Sequence, residues 1–438
     1  MASVVDRIIE IEKANCLYEL KDSKDMPVWD ILRYDVIKAI EYRYNPNREM
    51  LPKASLRHRL IIFLKSLMAV LAIMTLGKKR VFFFSHSRNR KPNGQLFDRI
   101  ANDLIMQVKP KDCVVFDANL GEKTCYNSYD LPVGLFYAIY RKSNLDAQIG
   151  KVITDALNDG FKEEVISFQK LQSIYRQFIA QVQMFDWILS RTKPKKIFIS
   201  YGRFKPLCFS AKKAGIPTWL MQHSLIEKDD ATIAGTCPRK ELGINADTLL
   251  TFGTYWGDYL KHLMKVEVLG NRIMSKVGVV PEYDGSIVVA SSLYQGPYLS
   301  SFFVSFANKH EDLKFIYKLH PGEKSYLSHY RELFQACPNV KVILNEQSMD
   351  DLIQRCSLMV LVSSTTFYEA LNMQKCVAVF AIPEFESLTR FLIGVPNAYP
   401  FVSEEELEQI ITCVRFDSSK SITFFEPFNE SFSAELVN

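Results

Sequence analysis

Two hydrophobic rhythms follow one another along the chain. Up to about residue 79 apolar positions recur at helical spacing, as in Val28-Trp29-Asp30-Ile31-Leu32-Arg33-Tyr34-Asp35-Val36-Ile37, and this stretch reads as helical. Short β-branched or aromatic runs then appear at 81–84, 113–116, 196–200, 218–222 and 249–252, each followed by a longer amphipathic stretch. A second series occupies 287–290, 315–319, 340–343, 358–362 and 377–380. Strands alternating with helices imply parallel sheets. The runs of the second series are nearly continuous apolar runs, as expected for strands covered on both faces. The predicted fold class is α/β: a helical N-terminal region (1–79), one Rossmann-like domain (80–272), a second (273–410), and a C-terminal segment (411–438). In that last segment the aromatic run Phe424-Phe425-Glu426-Pro427-Phe428 is expected to pack back on the body. The natural architecture is two such domains facing each other across a cleft, with ligands at the carboxyl ends of the strands.

Length and composition fit this division. At roughly 150 residues per domain, 438 residues suggest about three units, and 48% hydrophobic residues suffice for sizeable cores. The formal charge of +5 hides an asymmetry. Between Lys53 and Lys111 there are 13 Lys/Arg against two acids, Asp98 and Asp103, which leaves 41 basic and 47 acidic residues for the rest. A basic strip within a mildly acidic chain argues against a nucleic-acid binder and for a local anion-facing surface. The nine cysteines form no CxxC and no Cys/His cluster at zinc spacing, so reduced thiols in a cytosolic protein are the simplest reading. The N-terminus has no basic segment followed by an apolar run, so no signal peptide is expected.

The stretch 60–76 is apolar except for Lys65, Ser66 and Thr75, and it is flanked by Arg57-His58-Arg59 and Lys78-Lys79-Arg80. As a helix it would be about 25 Å long, short of the roughly 30 Å hydrocarbon thickness. It can span a membrane, lie in the interface, or pack in a core; the basic flanks favour the interface, hence a cytoplasmic protein peripheral to the inner face of the membrane.

Four strand-end constellations can carry chemistry. Lys318-Leu319-His320-Pro321-Gly322-Glu323 follows a strand, and the proline holds His320 extended, so that its ring can donate to a phosphate while Lys318 adds charge. The alternative is a loop histidine that only turns the chain. In Ser363-Ser364-Thr365-Thr366-Phe367-Tyr368-Glu369 a strand ends in four hydroxyls where a helix begins, an anion site by dipole and free N–H groups. Glu369 can accept from a ribose diol, although Thr366-x-x-Glu369 also reads as a capping box. Gln222-His223 ends a strand of the first domain, and Glu227, Asp229 and Asp230 follow as candidate general bases or as a solvated acidic loop. Finally, the basic loop containing Arg88 and Arg90 follows the first strand and can meet an anionic acceptor; Ser291-Ser292 is the matching loop of the second domain and can approach donor phosphates. No P-loop, GxSxG, HExxH, early GxGxxG or metal-holding DxD pair is present, so no metal or cofactor is expected.

Together, Gln222-His223, His320-Pro321 and Ser363-Ser364-Thr365 with Glu369-Ala370-Leu371 resemble the two-domain GT-B glycosyltransferases of bacterial capsule and lipopolysaccharide synthesis. The nearest group includes Kdo and sialic-acid transferases and CDP-glycerol glycerophosphotransferases. The resemblance covers about 81–382. It implies that His320, Pro321, Ser363, Ser364 and Thr365 contact nucleotide phosphates and Glu369 the ribose of a CMP-, CDP- or UDP-linked sugar. It also implies a glycan or lipid-linked acceptor (capsule or O-antigen); the residues themselves offer His223, Asp229 and Asp230 as catalytic candidates and Arg88, Arg90 and Gln222 for the acceptor side. Ser224 stands where the family commonly has glycine. A sugar-nucleotide epimerase and a non-catalytic membrane-associated assembly subunit are the rivals.

Overall fold

The strand Val81–Ser85 (β1) is an interior strand of the first sheet, and its five residues are all buried. In the computed structural model, Phe82 and Phe84 face a core that includes Met184, Phe185 and Ile188, while Val81 and Phe83 face a second core with Leu104, Ile105, Leu436 and Val437. Both faces are covered, which is why the run carries no polar alternation. The structure describes residues 4–23, 25–44, 56–87, 89–91, 93–118, 124–140, 142–200, 202, 204–223, 244–257, 260–261, 264–272, 274–275, 285–293 and 295–437.

Helices Val4–Ala14 (α1), Val28–Arg43 (α2) and Leu56–Met74 (α3) precede β1. After it come the small strands Asn89–Arg90 (β2) and Leu96–Phe97 (β3), helix Asn102–Gln107 (α4), Cys113–Asp117 (β4), Ser128–Tyr129 (β5), and helices Val133–Ile139 (α5), Ala147–Phe161 (α6) and Phe168–Thr192 (α7). Lys196–Ile199 (β6), Lys205–Lys213 (α8), Thr218–Met221 (β7), Thr248–Thr251 (β8) and Lys265–Val268 (β9) complete this half. The sheet order is β5-β4-β1-β6-β7-β8-β9, every pairing parallel.

The second half runs Ile287–Ala290 (β10), Gly296–Lys309 (α9), Phe315–Lys318 (β11), Leu327–Leu333 (α10), Val340–Ile343 (β12), Met349–Arg355 (α11), Leu358–Leu361 (β13), Thr365–Asn372 (α12), Cys376–Phe380 (β14), Glu386–Thr389 (α13), Ala398–Phe401 (β15) and Glu404–Cys413 (α14). Its sheet, β12-β11-β10-β13-β14-β15, is also wholly parallel. In both sheets the chain starts in the middle, builds outward to one side, then returns to build the other, which is the doubly-wound Rossmann order. The expected pair of Rossmann-like folds is what the chain forms.

Two boundaries differ from expectation. The N-terminal helices are not a separate region: Ala2–Asn271 and Phe428–Asn438 form one compact unit, and Arg272–Pro427 the other. Ile8 and Ile11 of α1 and Trp29, Leu32 and Val36 of α2 share a core with Leu157 of α6 and Leu171 and Tyr175 of α7, because an amphipathic helix buries its apolar stripe against another element. The C-terminal segment divides as well. Phe424 packs on Tyr368 in the second unit, with ring centroids 4.9 Å apart. The last helix, Glu430–Val437 (α15), belongs to the first unit, where Lys196 Nζ donates to the Leu436 carbonyl at 2.8 Å.

The N-terminal packing encloses an ion pair between Arg33 of α2 and Glu12 of α1, with both side chains about fully buried. Removing one charge strands the other in a low-dielectric core, whereas replacing both does not. Glu12→Ala should lower stability by about 3–5 kcal/mol in urea unfolding, and the double change Glu12→Met with Arg33→Met by much less.

Candidate functional site

Reversal of strand order places the loops after β10 and β13 side by side at the carboxyl end of the second sheet. Ser291-Ser292 follows β10, Ser363-Ser364 follows β13, and His320 follows β11, the neighbour of β10 on the other side. Three segments remote in sequence therefore reach one end of one sheet.

At the β13–α12 junction Ser364 is extended (φ −166°, ψ 156°) and caps the helix, its Oγ accepting from the Thr366 N–H at 3.3 Å. The expected Thr366-x-x-Glu369 capping box is not formed, because the cap falls two residues earlier. Thr366 and Glu369 lie within α12, buried. Ser363, Ser364 and Thr365 are half-buried at the helix start, where the first-turn N–H groups lack intrahelical acceptors.

His320 is extended (φ −67°, ψ 145°), as the following proline requires, and its side chain is exposed. Its Nδ1 accepts from the Gly322 N–H at 3.0 Å. With Nδ1 used as an acceptor, the neutral ring carries its proton on Nε2, so the imidazole is set to donate from the outer nitrogen.

A buried carboxylate holds this turn. Glu323 Oε2 accepts from the His320 N–H at 2.8 Å, while Oε1 accepts from the Ser291 and Tyr330 hydroxyls at 3.0 Å each. Tyr317 donates to Ser291 Oγ at 3.3 Å and to the Gly296 carbonyl at 3.0 Å. The cluster closes so tightly on Gly296 that a Cβ there would stand 2.4 Å from the Tyr330 hydroxyl and 2.5 Å from Glu323 Oε1. Burial raises the Glu323 carboxyl above the ordinary range despite these donors.

Two expected donor-site residues thus turn inward. Ser291 is buried and engaged by Glu323 and Tyr317. Lys318 is buried, donates to the Leu344 carbonyl, and has its ammonium pKa lowered by burial, so it ties β11 to the end of β12 instead of lending charge to the loop. Ser292 differs: its buried Oγ has no hydrogen-bond partner among the described residues, and neither has Oε1 of Gln295 at the start of α9.

In the first unit the corresponding strand reversal lies at β1 and β6. Ser85 Oγ (2.8 Å) and Ser200 Oγ donate to Asp98 Oδ2, and Ser87 donates to Asp117 through its N–H and its hydroxyl. These two buried carboxylates fix the root of the basic loop. Arg88 and the Arg90 side chain lie outside the described residues, as do Asp229 and Asp230. Gln222 is buried and its Oε1 accepts from the Phe252 N–H at 2.9 Å, so it ties the ends of β7 and β8 instead of facing an acceptor. His223 is half-buried beside Gly202, where a Cβ would stand 3.0 Å from its Nε2.

The sequence reading missed Glu323, Asp98 and Asp117 as organisers. Glu323 had a local signal, since it stands three residues after His320 and completes a capping box with histidine in the usual serine position. The two aspartates had none, because their partners come from other strands.

Residues 282–389 match the family model described as capsule polysaccharide biosynthesis protein, a segment that contains His320, Pro321, Ser363–Thr365 and Glu369. No protein of curated function matches the sequence. Among solved structures, MurG of Acinetobacter baumannii aligns with TM-score 0.44 and 12% identity over 76% of this chain and 90% of its own. UDP-GlcNAc 2-epimerase of Methanocaldococcus jannaschii, in complex with UDP-GlcNAc and UDP, aligns with TM-score 0.49 and 12% identity over 81% and 97%. Alr3699/HepE of Anabaena, in complex with UDP and glucose, aligns with TM-score 0.43 and 12% identity over 82% and 95%.

The Glu323 carboxyl links the turn to pH. Between the ordinary glutamate value near 4.5 and its raised value, the folded chain holds a proton that the unfolded chain has released. Its contribution to stability is therefore largest at low pH and declines as pH rises through that window. The stability of the wild type minus that of Glu323→Gln, followed by urea unfolding from pH 4.5 upward, should fall with pH and then level off. A difference that grows with pH would show that the donors outweigh burial.

Proposed function

We propose that the chain is a nucleotide-sugar-dependent glycosyltransferase of capsule polysaccharide synthesis, with the donor nucleotide bound by the second unit. The observation that carries this reading is the gathering of donors at the β10–β13 reversal: the Ser292 hydroxyl, without a partner among the described residues, the start of α12 with its three hydroxyl residues, and the His320 ring protonated on Nε2. Such a set suits phosphate oxygens, and the capsule family match covers the same residues.

On this reading the anomeric C–O bond to the nucleotide phosphate breaks and the electron pair leaves with the phosphate. His320 Nε2–H, the hydroxyls and the α12 N–H groups stabilise the developing charge, work assigned to protein groups instead of a metal. Glu369, in the first turns of α12, is the candidate for the ribose diol. The acceptor hydroxyl attacks the anomeric carbon and gives its proton to a base; His223, and Asp229 or Asp230 shortly after it in sequence, are the candidates. The acceptor is a lipid-linked or growing surface glycan, bound by the first unit at the inner face of the membrane.

A thermal-shift screen of CMP, CDP, UDP and GDP tests the donor site. A nucleotide present at about 100 times its Kd stabilises the fold by about 2.7 kcal/mol, a rise of a few degrees in Tm. His320→Ala should keep the circular dichroism of the wild type while transfer falls by about 100- to 1,000-fold. No response to any of the four nucleotides would leave the chain as a non-catalytic assembly subunit, and full transfer by His320→Ala would remove the proposed role of this histidine.

A further inference from the structure

Helix α3 presents the wrong chemistry to solvent. Leu60, Leu64, Leu67, Met68, Leu71 and Met74 are 44–67% exposed. At about 100° per residue they fall on one stripe covering roughly a third of the helix circumference. The opposite stripe is the one that packs on the protein: Ser66, Ala69 and Ile73 are buried, Ser66 Oγ accepts from the Gly134 N–H of α5 at 3.0 Å, and Ile73 joins the core under β1. A surface helix normally turns its polar residues outward, and a row of large apolar side chains on that side marks an interaction surface.

The packed stripe also limits what the helix can do. Its inner residues are part of the fold of the first unit, so it cannot cross a bilayer without leaving that core. Among the described residues no helix is long and apolar enough to cross a membrane. The helix can lie flat, its outer face in an apolar layer and its length of about 28 Å along the surface.

Charge identifies the partner. In the sequence Arg57-His58-Arg59 stand in the first turn of α3, and Lys78-Lys79-Arg80 follow its end. Arg191 reaches the same end from α7, its Nη2 donating to the Met74 carbonyl at 2.7 Å. Lys78, Arg80 and Arg191 are exposed. Of the two acids between Lys53 and Lys111, Asp98 is buried and engaged by Ser85 and Ser200. A second copy of this chain seated on the stripe would bring two basic strips together, which like-charge repulsion disfavours. An anionic lipid surface satisfies both features, because acyl chains take the apolar stripe and phosphate headgroups take the cations. We propose that the outer face of α3 is the membrane-docking surface of this protein and that it binds anionic phospholipid in the plane of the interface. This assignment does not depend on the nucleotide reading, since α3 lies in the other unit.

Flotation of the full chain with vesicles made of equal parts phosphatidylglycerol and phosphatidylcholine tests it. The wild type should float with these vesicles and several-fold less with phosphatidylcholine alone. The triple variant Leu64→Gln, Met68→Gln, Leu71→Gln changes only exposed positions. It should retain wild-type circular dichroism and Tm while its partitioning falls by about tenfold or more. Lys78→Ala with Arg80→Ala should weaken binding to anionic vesicles and leave the weak binding to neutral ones unchanged, whereas Met106→Gln, at an exposed apolar position on α4, should leave both unchanged. The proposal is overturned if the wild type stays with the unbound fraction, or if the triple variant floats as well as the wild type. It is equally overturned if sedimentation velocity without lipid shows a dimer that the triple variant abolishes, which would give the face to a second copy.

Discussion

Burial of two parallel sheets on both faces is the constraint from which the rest of this protein follows. A strand such as Val81–Ser85, with Phe82 and Phe84 in one core and Val81 and Phe83 in another, has no face on which a polar side chain can reach water. Polar chemistry is therefore displaced to the strand ends. Because all strands of a sheet run in the same direction, their carboxyl ends lie together. Where the strand order reverses, at β1/β6 in one unit and β10/β13 in the other, adjacent loops are left uncovered by a crossover.

Those uncovered loops need bracing, and both units use buried carboxylates for it. Asp98 and Asp117 take hydrogen bonds from Ser85, Ser87 and Ser200, and Glu323 takes them from His320, Ser291 and Tyr330. A carboxylate has several acceptor sites and no donor when ionised, so one buried group can hold several N–H and O–H groups from different segments. The bracing residues are spent within the fold. In the second unit Ser291 braces while the adjacent Ser292 hydroxyl has no partner among the described residues, and Lys318 is drawn inward while His320 is exposed. The same division of labour runs along α3, where one stripe holds the helix to the fold and the other faces outward.

Some properties set by neighbours in sequence were read correctly. His320 is extended because a proline follows it, and the hydroxyl run at 363–365 lies where a strand gives way to a helix; both properties depend on neighbours in sequence. Other readings failed, some because partners arrive from other strands and one because an element boundary fell elsewhere. Gln222 was expected to face an acceptor, but the N–H of Phe252 claims its side chain. The cap of α12 fell to Ser364 and not Thr366 because the strand ends earlier than the box assumed. The N-terminal helices read as a separate region because nothing in their own periodicity says that α6 and α7 supply the matching apolar faces.

The sequence alone determined the alternation of strands and helices, the two-sided burial of the strands, the basic strip, and the clusters of chemistry at the strand ends. These are properties of side-chain polarity and local backbone preference, and they survive without knowing which strands become neighbours. Only the tertiary structure decided that β10 pairs with β13, that Ser291 is consumed where Ser292 has no partner among the described residues, and that the outer stripe of α3 is exposed. Which of two adjacent polar side chains is satisfied depends on hydrogen-bond partners that arrive from elsewhere in the chain, and those partners are in place only after folding.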